Sequence, residues 1–147
     1  MALSVIGAGF GRTGNKWFGI EHWDVVPDIM VMAKSIASGF PVGATMAKSE
    51  IAESWTAKTI STFGGNPISM AAAIATNEIM VREDVPARAA ARGAQLLQGL
   101  NALYQEHHWI GEVRGMGLMQ GLELVEDRGT KAPSPERGKQ LLEATKE

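Results

Sequence analysis

Lys34 is the residue best placed for covalent chemistry, being the only charged side chain between Asp28 and Lys48. A buried ammonium is costly, so a lysine in such an uncharged run snorkels, pairs or gives up its proton. The neutral amine is the form that condenses with a carbonyl to give a Schiff base. Taken alone, Lys34 fits a lysine snorkelling from a strand end better than a catalytic one. A second element bears on the choice. Ser61-Thr62-Phe63-Gly64-Gly65-Asn66-Pro67 brings hydroxyls and glycines directly to a helix start. Free N–H groups, the positive end of the helix dipole and the hydroxyls of Ser61 and Thr62, with Gly64 allowing close approach, suit a phosphate monoester. A capped loop with no ligand has the same composition, so the pairing with Lys34 carries the weight.

Gly9-Phe10-Gly11-Arg12-Thr13-Gly14 satisfies the dinucleotide pattern G-x-G-x-x-G, but that fingerprint must open a helix and be followed by an acidic residue after a second strand. Asn15 to Gly19 shows no helical periodicity, so a plain glycine turn is the preferred reading. His22, His107 and His108 have no carboxylate at metal-ligand spacing. They are expected to be solvated surface histidines, and no metal site is expected.

These residues need elements to hold them. An apolar stub at Ser4 to Ile6 leads into the glycine turn. Ile29 to Ala33 and Val42 to Ala47 read as short buried strands joined by the loop Ser38-Gly39-Phe40-Pro41. A short helix is expected from near Ser49. Asn66 as N-cap and Pro67 at the first helical position open a longer helix to about Arg82, with an alanine-rich face. A second long helix runs from Val85 to about Gln105, with Leu96, Leu97, Leu100 and Leu103 at helical spacing. Two strand-like runs, Trp109 to Val113 and Leu118 to Val125, then flank Arg114-Gly115-Met116-Gly117. A final amphipathic helix starts at Ser134-Pro135 and is expected to continue to the last residue.

The chain has 147 residues, enough for an ordinary domain with a core. A net charge of -2 gives no footprint for nucleic acid or an anionic membrane. The absence of cysteine removes disulfide scaffolds, thiolate catalysis and cysteine-based zinc sites. No apolar run is long enough to span a bilayer, and Met1 to Gly14 lacks the basic start and cleavage site of a secretory signal. A soluble, cytoplasmic protein is the expectation.

The order and spacing of these pieces resemble the class III pyridoxal-phosphate-dependent aminotransferases, the ω-aminotransferases. The resemblance rests on Gly9 to Gly14, on Pro27-Asp28 through Ala33-Lys34, on Phe40-Pro41-Val42-Gly43-Ala44 and on Thr62 to Pro67. It continues in Val113 to Leu118 and Gly121-Leu122-Glu123-Leu124. It implies an α/β, fold type I architecture: an incomplete large domain with a mostly parallel sheet, followed by the start of a small α/β domain. Residues 1–84 would be the C-terminal part of the large domain, 85–108 a connecting helix and 109–147 the beginning of the small domain. It further implies pyridoxal 5′-phosphate as cofactor, Lys34 as the Schiff-base lysine, and Ser61, Thr62 and Gly64 as cofactor ligands. Thr62 would reach the phosphate bound to the neighbouring subunit of a homodimer. The implied reaction moves an amino group from an ω-amino compound, such as 4-aminobutyrate or an ornithine derivative, to a 2-oxo acid.

One departure matters for that chemistry. The family carries Asp-Glu-Val-Gln before the glycine turn, and its Asp pairs with the pyridinium nitrogen; here Ser4-Val5-Ile6-Gly7 stands in that place. Ser4 offers no charge, and loss of a charged partner worth roughly 3 to 5 kcal/mol lowers a rate by several orders of magnitude. Asn15 also reads as a one-residue insertion, and the family's upstream half has no counterpart. The isolated chain is therefore expected to be a poor catalyst, and the alternative is a non-catalytic, partner-binding α/β module.

Overall fold

The computed structural model describes the backbone of residues 2–5 and 7–146 and the side chains of residues 7–146. Ile6, at the end of the expected stub, and the Ser4 side chain lie outside the described residues. The chain divides into two compact units, Met1–Ala89 and Ala90–Glu147, with the division inside a long helix.

The first unit is built on a three-stranded sheet of β1 (Ala2–Val5), β2 (Ile29–Ala33) and β3 (Gly43–Ala47), in that spatial order. β1 and β2 run parallel, with Ser4 opposite Val31; β2 and β3 run antiparallel, with Met30 opposite Met46. Met30 and Met32 are buried on one face, and Phe10, Phe18 and Ile20 pack against them. The glycine turn thus supplies the cover for that face. Its backbone is tied by Gly11 N–H to the Trp17 carbonyl at 3.0 Å and Gly14 N–H to the Gly11 carbonyl at 3.0 Å. The Phe10 and Phe18 rings meet edge to face, with centroids 5.6 Å apart. No α-helix opens from Gly14; turn residues lead instead to a 3₁₀ segment at Gly19–Trp23.

α1 (Ser49–Glu53) follows β3, and α2 (Pro67–Arg82) follows the loop after it. The Asn66 side-chain oxygen accepts from Ser69 N–H at 2.9 Å, which is the N-cap anticipated from Asn-Pro. α2 packs against a single 3₁₀ turn, Lys34–Ala37, in which Ala37 is fully buried.

Burial departs from expectation in the sheet. β3 is mostly exposed and Val31 of β2 is 40% exposed, because no described residue of this unit forms a second layer over that face. Alternation along β2 still leaves Met30 and Met32 on the covered side.

The long helix α3 (Val85–Glu106) begins in the first unit and ends in the second. The second unit continues with β4 (Ile110–Met116), β5 (Met119–Asp127), β6 (Ala132–Pro133) and α4 (Pro135–Ala144). These strands form an antiparallel sheet in sequence order. β4 runs through Arg114-Gly115-Met116, so the reversal falls two residues later than the glycines suggested, at Gly117-Leu118. α4 stops at Ala144, where Thr145 caps it by N–H to the Leu141 carbonyl; it does not continue to the last residue. No helix is long and apolar enough to cross a membrane among the described residues.

Candidate active site

β2 delivers Lys34 at its C-terminal end, immediately after Ala33 pairs with Gly43. There the backbone turns abruptly. Lys34 has φ 61°, in the left-handed region that a residue bearing a Cβ occupies at a cost of roughly 1 to 2 kcal/mol. Ser38 at φ 46° and Gly39 at φ 105° close the same turn. Strained backbone held by its surroundings concentrates at functional sites.

Lys34 is exposed, which corrects the burial anticipated from its uncharged neighbours. The strand ends at Ala33 and the left-handed turn takes the next residue out of the sheet, so neutral flanking side chains did not signify a buried amine. Lys34 lines an open cavity of about 580 Å³ with Ser35, Ser38, Thr76, Met80 and Val85 among its neighbours. None of the ion pairs among the described residues involves Lys34.

Ser61, Thr62 and Gly64 form a separate exposed turn ahead of α2, and none of them lines the Lys34 cavity. The turn is well specified by its own residues. Gly64 N–H donates to Ser61 Oγ at 3.0 Å, and Asn66 Nδ2 donates to the Phe63 carbonyl at 3.0 Å. A Cβ on Gly64 would lie 2.8 Å from the Ser61 side chain, and Gly65 has φ 69°, so both positions favour glycine. Within one chain the structure therefore does not bring the lysine and the hydroxyl turn together.

His22 differs from the solvated histidine expected. Its Nε2 lies 3.1 Å from the hydroxyl of the buried Thr13, inside the glycine turn. His107 stacks on Trp109 with centroids 5.0 Å apart, and its carbonyl takes part in the end of α3. No cluster of potential metal ligands occurs among the described residues.

The Aminotransferase class-III family model matches residues 5–147. The chain belongs to the class III aminotransferases. It is 43% identical over 141 residues to alanine–glyoxylate aminotransferase 2 homolog 2 of Arabidopsis thaliana, covering 95% of this chain and 29% of the relative. It is 40% identical over 146 residues to taurine–pyruvate aminotransferase of Bilophila wadsworthia, covering 92% of this chain and 32% of the relative. A solved Bacillus anthracis aminotransferase superimposes with a TM-score of 0.87 at 41% identity, over 95% of this chain and 32% of that one. The chain thus spans about a third of the length of the relatives it matches, and its α/β fold is that of part of a class III enzyme.

The class III cofactor, pyridoxal 5′-phosphate, has three handles: an aldehyde, a phosphate monoester and a ring nitrogen. An exposed strand-end amine beside a cavity fits the first, and a hydroxyl-glycine turn before a 16-residue helix fits the second. For the third, Ser4, which the resemblance sets in place of the family's Asp, has its side chain outside the described residues. Sequence reasoning missed Ser35, Ser38, Thr76 and Met80 as neighbours of Lys34. Thr76 and Met80 sit on α2, more than 40 residues away, and no local spacing signals that approach.

Proposed function

We propose that Lys34 is the covalent anchor for pyridoxal 5′-phosphate, and that the chemistry it serves is transfer of an amino group from an ω-amino compound to a 2-oxo acid. The observation that carries the reading is the position of Lys34, at the end of a parallel-paired strand of a class III chain and beside an open cavity. The names of the two relatives, alanine–glyoxylate and taurine–pyruvate aminotransferase, each pair an amine with a 2-oxo acid, which supports the reaction class. When bound, the cofactor supplies an aldehyde for the amine and a ring that accepts electrons from the substrate carbon.

The protein's own contribution is binding and proton handling. The Lys34 amine would hold the cofactor aldehyde covalently and, once displaced by the substrate amine, its Nζ would take the proton from the substrate carbon as general base and deliver it to the cofactor's C4′ as general acid. Ser61, Thr62 and Gly64 bind the phosphate monoester through hydroxyls and backbone N–H at the N-terminus of α2. Their separation from the Lys34 cavity within one chain supports Thr62 serving the neighbouring subunit of a homodimer. Ser4 supplies no charge to the ring nitrogen, so this chain binds cofactor better than it turns substrate over. Residues 1–84, 85–108 and 109–147 are read as the end of the large domain, its connecting helix and the start of the small domain.

Titration with pyridoxal 5′-phosphate, followed by visible absorbance, tests the reading. The wild-type chain is expected to develop a saturable band that Lys34→Ala lacks. The same band in both proteins, or none in the wild type, contradicts it.

A further inference from the structure

The strained turn that begins at Lys34 is held from α2 by a side chain with no part in binding or proton transfer. Asn77 Nδ2 donates one hydrogen bond to the Ile36 carbonyl at 3.2 Å and another to the Ala73 carbonyl of its own helix at 2.7 Å. Both amide protons are thereby used, one fastening the side chain to α2 and the other reaching across to the Lys34–Ala37 turn. Asn77 is half-buried, and it sits in a largely apolar groove of about 630 Å³ with Ile36, Ala73, Ile74 and Val81, which Glu78 and Arg82 also line. Leucine would suit that groove and the helix better than asparagine, which competes for backbone bonds and is a weaker helix former. Packing therefore does not explain the residue.

The turn does need an external hold. Lys34 and Ser38 both occupy the left-handed region at φ 61° and 46°, a conformation that persists only where the surroundings over-determine it. Two such restraints are visible. Ala37 is fully buried, which anchors the turn by packing, and Asn77 anchors the preceding carbonyl by direction. Hydrogen bonds are directional, so the second restraint fixes orientation in a way that packing does not.

We infer that Asn77 is a positioning residue for Lys34: its bond to Ile36 holds the left-handed turn from which the lysine side chain departs. This rests on the reading of Lys34 as covalent anchor, and the test separates the two. Asn77→Leu removes the donor while keeping size, groove packing and helix propensity; Asn77→Gln keeps an amide donor with longer reach. Three quantities are measured on the full chain: thermal unfolding, amide exchange of Ser35 to Gly39, and the rate at which pyridoxal 5′-phosphate becomes borohydride-stable on Lys34. A lost bond of ordinary net strength corresponds to about fivefold. Asn77→Leu is expected to unfold no earlier than wild type, to exchange Ser35 to Gly39 about fivefold faster and to label Lys34 about fivefold more slowly. The other lysines should label unchanged, and Asn77→Gln should recover part of both effects. Unchanged exchange at Ser35 to Gly39 in Asn77→Leu overturns the positioning role, whatever the labelling shows. Faster exchange spread over all of the first unit with early unfolding also overturns it, because Asn77 is then only a stabilising residue. Absence of labelling at Lys34 in the wild type, with the exchange difference present, instead sinks the cofactor reading and leaves the hold on the turn standing.

Discussion

Pyridoxal and pyridoxal 5′-phosphate differ only in the phosphate monoester, so they would report separately on the two half-sites proposed. Thr62→Ala should weaken retention of pyridoxal 5′-phosphate by roughly tenfold, the worth of one charge-assisted hydrogen bond, and leave pyridoxal unaffected. Equilibrium dialysis of both compounds against both proteins checks this; equal weakening for the two would show that Thr62 supports the fold and not the phosphate. The same comparison bears on Lys34, because the covalent role proposed for it is common to both aldehydes. At this scale the sequence was informative about residue type and silent about environment. Lys34 stood out because its neighbours are uncharged, yet it is exposed, since side-chain neutrality along the chain says nothing about what covers a strand end in space. Asn77 gave no signal, because the carbonyl it reaches lies 41 residues earlier.

At the scale of elements, local chemistry was a dependable guide. Asn-Pro opened α2 and apolar runs bounded by turn residues marked β2 and β3, because caps and breakers act within a few residues. Strand burial was not dependable, since it depends on a second layer. The β2–β3 hairpin offers a test by pH. Lys48 Nζ lies 2.6 Å from Asp28 Oδ1 at the open end of the hairpin, and the bond to Lys48 holds the Asp28 carboxyl at about 2, below its ordinary 3.8. A carboxyl lowered on folding contributes stability above its unfolded value and loses it as pH falls through the folded one. The difference in melting temperature between wild type and Asp28→Asn should therefore be present at pH 7 and vanish as the pH drops from about 4 to about 2. It should shrink in high salt, because the pair is solvent-accessible. A difference that persists unchanged at pH 2 would assign it to packing.

In the second unit the end of α3 is clamped by Arg128, whose guanidinium donates to the carbonyls of Tyr104, His107 and Ile110 and lies 3.9 Å over the Tyr104 ring. Those carbonyls include orphan acceptors of the last helical turn. Arg128→Met keeps the aliphatic stem but removes every donor. It should lower the unfolding free energy of this unit by about 2 to 4 kcal/mol, read as amide exchange of β4 and β5 across a urea titration. A loss below about 0.5 kcal/mol would mean that water replaces the guanidinium without cost.

For the whole molecule, the question is what the exposed apolar residues are for. Trp55, Ile60, Phe63 and Ile68 are between 68% and 100% exposed, and they flank the Ser61, Thr62 and Gly64 turn. Contiguous apolar exposure is what an interaction surface presents, and we propose that role for these residues. In a homodimer that surface would carry the phosphate-binding turn to the neighbouring subunit, consistent with its separation from Lys34 in one chain. The composition gives no charge footprint for a polyanion and no cysteine for a disulfide scaffold, but it holds no information about such a pairing, because a surface that another chain would complete looks, in sequence, like an ordinary run of apolar and hydroxyl residues.

Peptide mapping after borohydride reduction in the presence of substoichiometric pyridoxal 5′-phosphate tests the central claim most directly, because Lys16, Lys48, Lys58, Lys131, Lys139 and Lys146 serve as internal controls in the same chain. Dominant labelling of the peptide bearing Lys34 is the predicted result. Label spread over the lysines in proportion to their exposure, with Lys34 no more reactive than the rest, would contradict it.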